Sequence, residues 1–246
     1  MRRIVVFSLF IAGCTSNPPK EDSQKLKLDA EEAFLKGEYG RAADSYRKYA
    51  DTDPADKAWA LLQLGKSLNG VELWEKAVKA FSDGMASRPS EPEKLQCLYY
   101  RAIAHGGLGN YRESLDDLNA VASAPFGSAL REDELRYRHA LAKLRAGDWR
   151  GGQAALKAFA AAFPQSPMIN DAKDRMALTS VCILLARARD AAAAKTLIAG
   201  MKGVAAQAVA GPRDVMIITG SFKNATEARV ELPRVQAAYK DAYIVP

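Results

Sequence analysis

One short motif recurs four times along this chain and sets the length scale of anything it can fold into. A turn segment followed by an aromatic appears as KGEY, GVELW, LGNY and AGDW, with Gly37, Glu72, Gly109 and Gly147 in the equivalent place. Those positions lie 35, 37 and 38 residues apart. A repeat of this size is one supersecondary unit, too small to bury its apolar face alone and stabilised by stacking on its neighbour.

The frame around each motif is helical. Leu26 and Ala30 precede Gly37, and Tyr39, Ala42, Tyr46 and Pro54 follow it. The second unit has Leu61, Leu64, Gly65 and Leu68, then Trp74, Ala77, Phe81 and Pro89. The third has Leu98, Ala102, Tyr111, Ser114, Leu118 and Pro125; the fourth has Ala140, Trp149, Gly152, Leu156 and Pro164. Apolar residues at three- and four-residue steps give helices, and each proline ends one because it lacks an N–H. Small residues at Ala30, Gly65, Ala102 and Ala140 let two helices approach closely. A degenerate fifth copy is read from Met168 onward, with Leu178, Val181, Cys182 and Leu185, then Ala194 and Ile198.

The second unit resembles the tetratricopeptide repeat, whose pattern is W-x2-L-G-x2-Y, then A-x3-F, then P. The resemblance spans residues 23–202 and implies a mainly α solenoid of about five helix pairs. It also implies that the first helix of each pair lines a concave groove. Carried over by position, that groove holds Trp59, Leu62, Lys66, Tyr99, Ile103, Tyr137, Leu141 and Arg145, with Leu144, Met176 and Ile183 beside them. Such a surface suits an extended or helical peptide, including one with a carboxylate; the alternative is that these side chains pack against the neighbouring unit.

The N-terminus reads as an address. Met1-Arg2-Arg3 is basic, and residues 4–12 (IVVFSLFIA) are nearly all apolar. That run suits a secretory signal and falls well short of the roughly 20 residues that span a bilayer. Ile11-Ala12-Gly13-Cys14 resembles the lipobox of bacterial lipoproteins. The resemblance implies a signal peptide over residues 1–13, acylation (palmitate among the chains) at Cys14, and stable membrane attachment. Thr15 in place of Asp implies the outer membrane, with the protein on its periplasmic face. Residues 14–22, containing Pro18-Pro19, read as a stiff tether.

Composition narrows the function classes. Removing Arg2 and Arg3 leaves a net charge of +4, too little and too dispersed for nucleic acid. LGKS at residues 64–67 lacks the glycine of a phosphate-binding loop, and GGLGN at residues 106–110 follows no strand. His105 and His139 have no cysteine or carboxylate cluster near them in sequence, so no metal site is expected. Cys97 and Cys182 stand two units apart and are expected buried and unpaired. Arg131, Arg136, Arg138, Lys143, Arg145 and Arg150 alternate with Glu132, Asp133 and Glu134, which reads as a solvated face with local ion pairs; contact with anionic headgroups or glycan is the alternative. No nucleophile–base or carboxylate pair appears, so the chain is read as no enzyme and without a cofactor.

The pattern changes after a linker at residues 203–212. Val215-Met216-Ile217-Ile218-Thr219 is a strand, residues 224–239 a helix that Pro233 should kink or interrupt, and residues 242–245 a second strand. This β-α-β segment, residues 213–246, resembles half of a SPOR domain, a module that binds peptidoglycan glycan strands. The resemblance puts Ile217, Gly220, Ser221, Phe222 and Tyr243 in a glycan-binding or strand-pairing role. Two strands alone cannot satisfy their edges, so the segment must dock on the last repeat, pair in a homodimer, or recruit a partner's strand. The reading is a lipid-anchored periplasmic scaffold that binds a protein or peptide in envelope assembly, resembling β-barrel assembly lipoproteins and type IV pilotins. The alternative is a peptidoglycan-binding envelope protein acting through its C-terminal segment.

Overall fold

The computed structural model of the protein describes residues 20–124 and 130–245. Cys14, the signal segment and most of the tether lie outside them. Lys20 already begins the first helix, so the tether expected to reach residue 22 gives way to helix three residues earlier.

Eight helices form four antiparallel pairs: α1 (Lys20–Leu35) with α2 (Tyr39–Thr52), α3 (Lys57–Gly70) with α4 (Trp74–Ala86), α5 (Glu91–Leu108) with α6 (Tyr111–Ser123), and α7 (Glu132–Ala146) with α8 (Trp149–Ala162). Each packs on the next, and α3 also lies against α5, so the first helices of the second and third pairs lie side by side. The four motif positions are the turns within the pairs. Gly37, Glu72, Gly109 and Gly147 all have positive φ, at 75°, 58°, 83° and 97°. A left-handed residue reverses the chain there, which glycine does freely and Glu72 does at a steric cost.

The motif aromatics explain the stacking. Tyr39 lies over Gly70, where an added Cβ would come within 2.6 Å of its ring, and Trp74 lies over Gly107 at the same distance. Tyr111 packs in a cluster that includes Ala146. Each aromatic at the start of a second helix thus covers a small residue at the end of the next unit's first helix. Inside the second unit, Gly65 faces the ring of Phe81 with no room for a methyl group. Polar ties reinforce the stack: the Arg101 guanidinium donates to both Asp117 carboxylate oxygens (2.8 and 2.7 Å) and to Ser82 Oγ (3.0 Å), joining α5, α6 and α4.

The expected fifth helix pair is corrected. After the short α9 (Ile169–Met176) the chain becomes strand β1 (Val181–Ala188), followed by α10 (Ala191–Gly200), β2 (Ala206–Ala210), β3 (Val215–Phe222), α11 (Ala225–Gln236) and β4 (Tyr243–Val245). The reason is that residues 181–185 (VCILL) form a continuous apolar run that suits a strand buried on both faces, although Leu178, Val181, Cys182 and Leu185 also fit helical spacing. The stretch expected as a linker holds β2. The four strands make one antiparallel sheet in the order β2-β3-β1-β4. Helix α11 runs through Pro233 for another turn instead of breaking.

This sheet unit is two copies of one β-α-β plan. Val181 and Val215, Asp190 and Asn224, Ala194 and Ala228, and Ile198 and Leu232 are each 34 residues apart. Asp190 and Asn224 cap α10 and α11 alike, each side chain accepting from the backbone N–H three residues on. One sheet face packs under α10 and α11 through Ile183, Leu185, Ile217 and Val235. The opposite face, with Cys182, Leu184, Met216, Ile218 and Val245, is buried with Leu178 and Trp149 of the solenoid end. Trp149, followed only by the short α9, packs beside Ile169 and Met176 and also covers the sheet.

Candidate functional site

The inner row of first helices divides into buried and open positions. Leu62, Tyr99, Tyr137 and Leu141 are at most 8% exposed, so their expected place in an open groove is corrected: they are packing between units. Leu144 is equally buried, and Ile183 sits inside the sheet instead of on a helix. Trp59, Lys66, Ile103 and Arg145 keep accessible surface on α3, α5 and α7, and Met176 keeps some at the end of α9. The outcome follows from geometry, since in a stacked array one side of every first helix must face the next unit.

Two of these are cations. The Lys66 ammonium lies 5.4 Å from the Phe34 ring centroid and 5.3 Å from that of Tyr100, and burial lowers its pKa. Among the described residues neither Lys66 nor Arg145 has a carboxylate partner. Other arginines nearby are matched: Arg138 with Glu134 (2.8 Å) and Arg175 with Asp171 (2.8 Å). Arg131 and Arg136 take Asp133 and Glu132 in the same way, as a solvated helix face would. Burial, then the positive charges of Arg175 and Arg138, pushes Arg145 down to about 10.

Arg145 borders a cavity of about 270 Å³ between α5, α6 and α7, whose walls include Trp74, Ile103, Leu118 and Leu141. A second recess of about 560 Å³ lies among α2, α3 and α4, bordered by Lys57, Lys76, Lys79 and Asp83. Neither is legible in the sequence, because both form between residues of different helices. His105 is half-buried, with its Nδ1 enclosed and unpartnered among the described residues and its pKa lowered by burial, while His139 Nε2 is 2.8 Å from Asn119 Oδ1. Cys97 and Cys182 are buried, free thiols, and burial pushes both up to about 12.

The C-terminal residues expected to bind glycan or pair strands take structural places. Ile217 is fully buried and pairs with Ala186 and Ala208, Phe222 pairs with Val181, and Tyr243 pairs with Leu184 while staying 47% exposed. Gly220 has φ 76°, and the Ser221 hydroxyl lies 2.9 Å from that of Ser180. With four strands of its own, the sheet needs no strand from a second copy or a partner. It is tied to the solenoid by Arg187 of β1, which donates to Asp174 of α9 (2.9 Å) and to Asp214 (2.6 Å). Arg229 of α11 reaches the Gly107 carbonyl oxygen (3.3 Å).

Comparison with known proteins agrees with this architecture. Residues 134–166, the fourth unit, match the tetratricopeptide repeat family. Among solved structures, MamA (residues 41 to the end) from Desulfovibrio magneticus RS-1 is similar at a TM-score of 0.55 and 16% identity, over 64% of this chain and 82% of that one. Another MamA crystal structure gives 0.53 and 17%, over 65% and 81%. A tetratricopeptide repeat protein from Parabacteroides merdae gives 0.52 and 15%, over 63% and 60%. The fourth unit thus matches the tetratricopeptide repeat family, and the chain folds as a TPR-like helical solenoid capped by a small C-terminal sheet.

Proposed function

We propose that the protein is a binding scaffold of the bacterial envelope, anchored through Cys14 to the periplasmic face of the outer membrane and holding a peptide or protein partner along its inner helix row. The observation that carries the reading is the row itself: Trp59, Lys66, Ile103 and Arg145 remain accessible on α3, α5 and α7, and its two cations have no carboxylate partner among the described residues. Aromatic and aliphatic surface beside uncompensated positive charge suits an acidic or carboxylate-ended partner. Assembly of β-barrels or of a type IV pilus is the setting this architecture suits. A photoreactive residue at Ile103 should give a discrete adduct in cells, and one at exposed Lys157 of α8 should not. Equal adducts at both positions, or none at Ile103, would contradict the reading. Cys14→Ser should release the protein from the membrane fraction, and retention of a processed product would refute the anchor.

One observation favours the peptidoglycan reading. Residues 181–210 form a second β-α-β copy in the same sheet as the segment that resembles half of a SPOR domain, which is the number of copies such a module would need. Against it, the sheet face opposite the helices is apolar and buried by the solenoid. Sedimentation of the full chain with purified sacculi decides the matter; a chain that stays in the supernatant has no such activity.

A further inference from the structure

We infer that the cavity beside Arg145 is a pocket for the C-terminal residue of the partner, with the guanidinium binding the terminal carboxylate and the apolar walls taking the last side chain. The inference rests on the scaffold reading and names the part of the partner that is recognised.

Three observations lead there. Arg145 forms no hydrogen bond and no ion pair among the described residues, while Arg138 and Arg175, whose positive charges bear on it, each already hold a carboxylate. Two acids therefore face three guanidinium groups, and the uncompensated charge is at Arg145. A partly buried cation without a counter-ion is costly to keep, and the C-terminal dipole of α7 offsets only a small part of that cost. The ordinary structural use of such a residue, covering apolar surface with its methylene stem, needs no charge.

The second observation is the wall. Trp74, Ile103, Leu118 and Leu141 are apolar, and the Ser114 hydroxyl there already donates to the Ala102 carbonyl oxygen (2.8 Å). The third is size. About 270 Å³ lies below the roughly 300–1,000 Å³ of sites for drug-sized ligands, so it suits a single residue. A chain terminus presents a carboxylate and an apolar side chain on the same α-carbon, which an internal aspartate does not.

The test titrates the full chain, carrying Cys14→Ser, with three probes: acetyl-Ala-Ala-Leu with a free carboxylate, the same peptide amidated, and acetyl-Ala-Asp-Ala amide. Binding is followed by the indole N–H resonance of Trp74, assigned with Trp74→Phe. The free acid should bind at least about tenfold more tightly than either amide, as expected for a charge-assisted hydrogen bond in a desolvated site. Arg145→Met keeps the packing and removes the charge; it should abolish that preference and leave the melting temperature equal or higher. Equal binding of acid and amide, preference for the aspartyl peptide, or unchanged binding by Arg145→Met would overturn the pocket. Failure of all three peptides alongside a discrete adduct at Ile103 would remove the pocket and leave the scaffold standing; loss of the adduct as well would remove both.

Discussion

The solenoid and the C-terminal sheet are built on nearly the same sequence period and solve the burial problem in opposite ways. In the solenoid each unit covers the next, with Tyr39 over Gly70 and Trp74 over Gly107, so the array has a loose end wherever it stops. In the sheet two copies 34 residues apart pair their strands with each other into a single four-stranded sheet. The junction shows why the two belong together. Trp149 is the last motif aromatic, and it finds the short α9, Leu178 and the second face of the sheet where a full helix pair would have stood. The difference teaches that period alone does not specify fold; what fills the period, spaced apolar residues or a continuous apolar run, decides between helix pair and strand.

The comparison can be broken first at the junction. Arg187→Ala should destabilise the protein by about 3 kcal/mol, because it leaves the buried Asp174 carboxylate without its cation. Chemical denaturation should then resolve two transitions, with the sheet melting before the helices. A single unshifted transition would show that the tie is dispensable. Within the solenoid, Gly65→Ala should cost about 1–2 kcal/mol despite the better helix propensity of alanine, since the methyl group meets Phe81. Gly40→Ala, in a helix with open space around it, should instead stabilise by up to about 1 kcal/mol. Smallest and opposite in sign to most substitutions, Glu72→Gly should stabilise by about 0.5–1 kcal/mol by relieving φ 58°. Thermal melts of the three glycine-site variants order these effects.

Much of the solenoid was legible in the sequence because its determinants are local. A turn residue, an aromatic two positions later, a small residue for close approach and a closing proline identify each pair, and the left-handed turns fall at all four motif positions. The sheet was half legible. Its first copy lay hidden because Leu178, Val181, Cys182 and Leu185 satisfy helical spacing, and because 34 residues is also the length of a tetratricopeptide unit. The repeated cap before an alanine-rich helix, at Asp190 and at Asn224, was the signal that distinguishes it. In the candidate site, residue type was legible and exposure was not. Whether Tyr99 or Ile103 faces solvent depends on how adjacent units rotate on one another, and the lack of a partner for Arg145 depends on where Glu134 and Asp171 are already committed.

The central claim is that solenoid and sheet form one body whose shared face is closed. Alkylation of Cys182 at pH 8 in a Cys14→Ser chain tests it most directly, with Cys97 as the internal reference in the solenoid core. Both thiols are buried and pushed up to about 12, so both should react only as fast as the whole protein unfolds. Rapid labelling of Cys182 while Cys97 stays protected would mean that the sheet face is open, and would contradict the account.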